Sequence, residues 1–276
     1  MPYFPPSRSR GGTHRFLALP LGCALLLACS VPAWSWGPLG HRVIARIAEQ
    51  HLSAKARGRL KFYFGRDMQL ADQAMWADEV REQRPETAPW HYINIPPQAT
   101  AFKAERDCRQ DDCVTAKIRE FVGIARLAVR GKNQVADAAR FVIHLAADLH
   151  QPLHAGHGED RGGNGIMVKF RGEDKNLHQV WDSGILSLNG EDELALADRL
   201  SELITPEKKK EWLRGRPSEW AWESHLAAVR VAYGALPAGE PKALDEEYLR
   251  QARAVVEEQL VKAGVRLAEL LNQTWP

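Results

Sequence analysis

His144 and Asp148 stand four residues apart, and His178 and Asp182 repeat the spacing, with His154 between the two pairs. On a helix, side chains four apart leave the same face. Each pair therefore presents an imidazole nitrogen and a carboxylate oxygen to one point, a donor set that suits zinc and related divalent cations. A single such pair is usually a surface hydrogen bond; two pairs with an intervening histidine form a more specific pattern. Met75-Trp76-Ala77-Asp78 ends a helical apolar run on an acid, and Trp90-His91-Tyr92-Ile93-Asn94 sets a histidine among aromatics. Taken singly, these would be a helix-surface acid and a core histidine. His51, His150, His157 and His225 lack such company and read as surface positions or as support for a site.

The start of the chain adds a further donor. Arg8 to Arg15 form a positive region and Phe16 to Cys29 an apolar one, broken by Pro20 and Gly22 and too short for a membrane span. Ala33 and Ser35 then sit at the small-residue positions of a cleavage site before Trp36. Residues 1–35 read as an export signal, and cleavage would leave Trp36-Gly37-Pro38-Leu39-Gly40-His41 as the new terminus. A free α-amine has a pKa near ~7.7–8 and is easily neutral. With its own carbonyl it closes a five-membered chelate ring, and His41 opens the first helix close by. A lipoprotein-type cleavage at Cys29 is the competing reading; it would deprive Trp36 of its free amine.

Composition sets the frame. The chain has 276 residues, 45% of them apolar, enough for a sizeable core. The formal net charge of +2 depends on the leader: without Arg8, Arg10 and Arg15, 34 basic side chains face 35 acidic ones. A mature chain of this balance does not hold nucleic acid by bulk charge, so local groups or metal ions must do the attracting. Cys23 and Cys29 fall in the leader, leaving Cys108 and Cys113. In an exported protein this pair reads as one short-loop disulfide, with free thiols or a two-cysteine metal site as alternatives.

The elements that must position these groups are helices. Apolar residues recur at helical spacing after Gly40 and over 71–82, 113–130, 135–149, 191–202, 207–213, 217–235 and 243–272. Pro152 closes the helix carrying His144 and Asp148. Residues 84–112, with Pro85, Pro89, Pro96, Pro97 and both cysteines, read as a long ordered loop. Ile166–Phe170 reads as a short strand after a Gly162–Gly165 turn. No repeat or long linker divides the chain, which argues for one domain, 36–276, after the signal.

Taken together, Trp-Gly-x-x-Gly-His at 36–41, Trp-Ala-Asp at 76–78, His-Tyr-Ile-Asn at 91–94, the segment 141–154 and Asn-Leu-His-Gln-Val-Trp-Asp at 176–182 resemble the S-one/P-one type of single-strand-specific nucleases and 3′-nucleotidases. The resemblance covers essentially all of 36–276. It implies an all-α, single-domain multi-helix bundle of the phospholipase C/nuclease kind with a small β-hairpin. It also implies three zinc ions per chain. One would lie on Asp78, His91, His144 and Asp148. A second would take the amine and carbonyl of Trp36 with His41 and a bridging Asp148. The third would lie on His154, His178 and Asp182. Arg81 is implied to meet the charged transition state, Tyr92 to stack on a base and Asn94 to read its edge; relatives often carry Asp at the Asn94 position. A Cys108–Cys113 bridge is family-like.

The implied activity is zinc-dependent hydrolysis of single-stranded DNA and RNA to 5′-phosphate products by a zinc-activated hydroxide, with 3′-nucleotides as further substrates. Asp78 is expected to orient the attacking water. The protein is expected to be secreted or periplasmic, monomeric and without stable membrane association. A zinc phospholipase C is the first rival, although relatives of that type carry Glu where this chain has Asp182. A non-catalytic zinc-binding envelope protein is the second.

Overall fold

The computed structural model describes Met1, residues 36–127 and residues 131–276. The export signal expected over 1–35, and with it the alternative lipidation of Cys29, lies outside the described residues. From Trp36 onward the chain forms helices α1 (Pro38–Gln50), α2 (Ala54–Phe64), α3 (Trp76–Arg81), α4 (Ala104–Asp107), α5 (Val114–Arg126), α6 (Lys132–Asp148), α7 (Leu177–Gln179), α8 (Glu193–Ser201), α9 (Pro206–Trp212), α10 (Pro217–Ala227) and α11 (Glu246–Thr274). Strands β1 (Met167–Phe170), β2 (Glu173–Asn176) and β3 (Lys242–Ala243) complete it. The fold is all-α with one small sheet. β1 and β2 pair antiparallel as the expected hairpin, and β3 adds a parallel edge to β1. Among the described residues, no helix is long and apolar enough to cross a membrane.

α6 is the axis of the bundle. From Val135 to Asp148 nearly every residue is buried, and Ala136, Ala138, Ala139, Ala146 and Ala147 leave room for neighbours on all sides. A helix apolar over most of its circumference belongs in the interior; α1, α5 and α11 pack against this one, and Asp137 and Arg140 mark the strip that reaches solvent. Start signals are local. Pro38 opens α1 at its first turn, while the side chains of Ser53, Asp192, Thr205 and Asp245 accept backbone N–H groups at the starts of α2, α8, α9 and α11.

Three departures from the periodicity have physical causes. α2 buries only Ala56 and Leu60, so it has no apolar stripe to read. The stretch expected as one helix over 71–82 is a 3-10 turn, Leu70–Gln73, followed by α3. Past α10 the chain continues as a π-type turn, Ala228–Tyr233. The 84–112 loop is ordered by short turns and by a Cys108–Cys113 disulfide.

α1 and α11 approach closely at Gly264. A Cβ there would lie 2.5 Å from Ile47 Cγ2 and 3.3 Å from the Ile44 carbonyl. Alanine normally favours a helix over glycine by about 1 kcal/mol, but overpacking a filled contact costs about 1–3 kcal/mol. We expect Gly264→Ala to lower the urea midpoint at unchanged slope; a raised midpoint would show that the helices yield freely.

Candidate metal centre

The bundle delivers donors from separate segments to one buried place. α1 supplies His41 from its first turn, α3 supplies Asp78, and α6 supplies His144 and Asp148 one turn apart; all four are buried. His91 ends a 3-10 turn, Pro85–His91, and is likewise buried. Past it, Ile93 N–H donates to the His154 carbonyl at 2.8 Å, and Ile95 N–H to that of Gly156 at 3.0 Å. That pairing lays the 92–95 strand of chain beside the turn that carries His154.

Asp148 is the hub. Its Oδ2 lies 2.8 Å from His91 Nδ1 and 3.2 Å from His144 Nε2, and its Oδ1 lies 3.4 Å from His41 Nε2. Asp78 Oδ1 stands 3.6 Å from His144 Nε2 and 3.7 Å from His91 Nδ1. The rings of His41 and His144 stack at 4.1 Å. Two overlapping groups result, His41 with Asp78 and His144, and His91 with His144 and Asp148, each close enough to hold one ion.

A third group, His154, His178 and Asp182, forms alongside. Its geometry depends on a helix that changes pitch. Asn176 and Gln179 cap α7 reciprocally, which fixes His178 directly after the hairpin. The chain then widens into a π-type turn, Val180–Gly184, which brings Asp182 Oδ2 to 3.4 Å from His178 Nε2. Such π turns are frequent where a helix must aim a functional group. Gly162 closes the other side at φ +63°, where a Cβ would meet the Leu153 carbonyl at 2.5 Å; its own carbonyl accepts from His178 Nδ1 at 2.6 Å.

The donor chemistry fits a divalent cation. Three histidines bind backbone carbonyls through Nδ1: His144 to Ala74 at 2.7 Å, His154 to His91 at 2.8 Å and His178 to Gly162. A carbonyl only accepts, so the proton sits on Nδ1 and the Nε2 lone pair faces the site, the arrangement that orients metal-ligating imidazoles. Asp78 has both carboxylate oxygens buried without a hydrogen bond among the described residues, and so does His91 Nε2. Buried polar atoms of this kind call for a partner.

Three of the rings titrate as neutral ligands would, whereas His144 keeps a proton on Nε2 that a bound ion would displace. Burial lowers His41 and His178 and brings His154 down to about 3, so these rings stay neutral. Burial drives Asp182 well above the usual carboxylate range, against its hydrogen bond from Gln151. At the hub, burial also opposes charge, but Asp148 and Asp78 outweigh it and raise His144 to about 9. His144, His41 and His91 in turn hold Asp148 well below the ordinary range. A cation beside Asp182 would offset the burial that opposes its charge.

The remaining expected residues lie around this centre. Trp36 is fully buried; its Nε1 donates to the Ala147 carbonyl at 3.0 Å, and Gly37 N–H donates to the Asp182 carbonyl at 2.9 Å. The chain's first described segment is thereby pinned between the Asp148 and Asp182 neighbourhoods. Arg81 Nη1 lies 3.7 Å from Asp78 Oδ1. Tyr92 is 41% exposed, beside buried His91, and Asn94 lies against Gly158.

His150 and His225 are both buried, which decides between the two readings in favour of supporting positions rather than surface ones. His225 Nδ1 donates to the Ala155 carbonyl, and His150 accepts from Arg266. Gln151, which binds Asp182, carried no signal in the sequence, because a glutamine before proline reads as an ordinary loop residue.

Sequence comparison then meets this geometry. The S1/P1 Nuclease family model matches residues 36–276. The chain is 30% identical to Nuclease S1 of Aspergillus oryzae, over 92% of this chain and 96% of that protein. It is 32% identical to Endonuclease 1 of Arabidopsis thaliana, over 98% and 95%, and 28% identical to Nuclease P1 of Penicillium citrinum, over 86% and 97%. The matched span starts at Trp36, takes in every member of the three buried His/Asp groups and runs to residue 276, so this chain belongs to the S1/P1 nuclease family of hydrolases.

Proposed function

We propose that the protein is an exported, zinc-dependent phosphodiesterase that cuts single-stranded DNA and RNA to 5′-phosphate products, with 3′-nucleotides as additional substrates. Export would remove residues 1–35 and free the Trp36 amine, leaving 36–276 as the nuclease domain. The carrying observation is the convergence of His41, Asp78, His91, His144 and Asp148 in one buried cluster, with His154, His178 and Asp182 beside it.

The ligand assignment is the one the family resemblance implies, and the clustering of these side chains supports it. Asp78, His91, His144 and Asp148 would hold one zinc; the Trp36 amine and carbonyl, His41 and Asp148 a second; His154, His178 and Asp182 a third. The anchoring of the Trp36 indole on the Ala147 carbonyl, next to Asp148, supports the second set. Bound zinc supplies Lewis-acid charge that acidifies an attacking water and neutralises phosphate oxygens. Asp78 accepts a hydrogen bond from that water and directs its lone pair along the line of attack. Arg81, beside Asp78, meets the charge that builds on the phosphoryl oxygens. Tyr92 gives the exposed face on which an unpaired base stacks, and Asn94 offers an amide to the base edge. Stacking of this kind contributes about 1–3 kcal/mol per base, and a duplex hides the face it needs.

The test is cleavage by the protein beginning at Trp36, with chelator and with zinc restored. Zinc-restored cutting of single strands to 5′-phosphate ends, with duplex cut far more slowly, is expected. Tyr92→Ala should raise KM for single strands roughly five- to a hundredfold, the equivalent of one lost stack. Full zinc content without cleavage of any strand would overturn the reading, and phosphatidylcholine would be the next substrate.

A further inference from the structure

We propose that Gln151 is a positioning residue that sets the geometry of the His154/His178/Asp182 group; the inference rests on the metal-dependent reading above. Gln151 is fully buried, three residues beyond Asp148, and both ends of its amide are used. The Leu153 N–H can only donate and lies 2.6 Å from Oε1, so the oxygen is assigned to that side. The amide nitrogen must then face Asp182, donating to Oδ1 at 2.6 Å. One planar group therefore ties the arm bearing His154 to the π-type turn bearing Asp182.

The consequence is selective. With Oδ1 engaged, Oδ2 is the oxygen turned toward His178 Nε2, so Asp182 is held to offer one oxygen in one direction. The base of the amide is held from behind. Gln151 N–H donates to the Asp148 carbonyl at 3.0 Å. His150 Nδ1 donates to the Ala146 carbonyl at 2.7 Å, and its Nε2 accepts from buried Arg266 at 3.0 Å. Arg266 also donates to the Trp212 carbonyl and to Glu223, and stacks over Trp220. The turn between Asp148 and His154 is thus anchored to α11. Partners of this kind, one bond removed from a metal, typically govern affinity by 10–100-fold.

Two variants separate positioning from folding. Gln151→Leu removes both bonds; Gln151→Glu keeps the acceptor for Leu153 N–H but sets a second carboxyl against Asp182 in place of the amide donor. Zinc bound per chain is measured across graded chelator buffers, with thermal melting of the metal-free forms beside it. We expect one ion of the complement to be released about 10–100-fold more easily in both variants, the others at parental affinity, and metal-free Gln151→Glu melting with the parent. Parental affinity for every ion in Gln151→Glu, or equal weakening of all of them, would overturn the proposal. A parent protein that takes up no zinc at all would instead overturn the metal-dependent reading on which it rests.

Discussion

Asp148→Asn should lose cleavage by about a thousandfold or more, the equivalent of roughly 4 kcal/mol of transition-state stabilisation. The substitution preserves volume and removes one charge. That charge faces three histidines, at 2.8 Å from His91, 3.2 Å from His144 and 3.4 Å from His41. It is also the main force holding His144 protonatable up to about 9 against burial. In the proposed assignment Asp148 serves two ions at once, so its loss should lower zinc content as well as rate. A surface acid of the same helix, such as Asp137, gives the control: its side chain is 43% exposed and pairs with Arg140. Asp148→Asn with full zinc content and a rate within about tenfold of the parent would remove Asp148 from the centre of the mechanism.

Removing the metal should cost stability as well as activity. The donors come from α1, α3, the turn ending at His91, α6, the turn after Pro152 and the segment from α7 to Asp182, and no one element holds a complete set. An ion bound to them in the folded state alone stabilises by about 2.7 kcal/mol at a hundred times its dissociation constant, so the three ions of the proposed assignment would contribute roughly 8 kcal/mol. For a domain of this size that corresponds to a fall of about 15–30 °C in Tm on chelation, restored by zinc. A verified metal-free protein that melts within a few degrees of the loaded one would show that the helical core stands without the ions.

Much of this site was legible before any coordinates. The spacing of His144 and Asp148 depends only on the helical repeat, which local sequence specifies, and α6 displays them one turn apart as that repeat requires. The motifs around His41, Asp78, His91 and His178 carry the other side chains that the fold gathers beside them, and the cysteine pair 108/113 pointed to a bridge that the fold contains. Helix starts were equally local, since a proline or a capping side chain acts within one turn of itself.

What the tertiary structure decided is everything that depends on residues distant in the chain. Only packing shows that Ala74, His91 and Gly162 lend carbonyls that turn Nε2 of His144, His154 and His178 inward. Only packing shows that His150 and His225 are interior and that Gln151 bridges two arms of the site. α2 was invisible because its burial is confined to two residues, and the π-type turn at Asp182 because its pitch differs from the repeat that periodicity detects. Local sequence specifies which imidazoles and carboxylates the chain carries and how each sits on its own element. Their convergence was decided by long-range burial, because a buried imidazole or carboxylate takes its direction from whichever distant backbone group or side chain the fold sets against it.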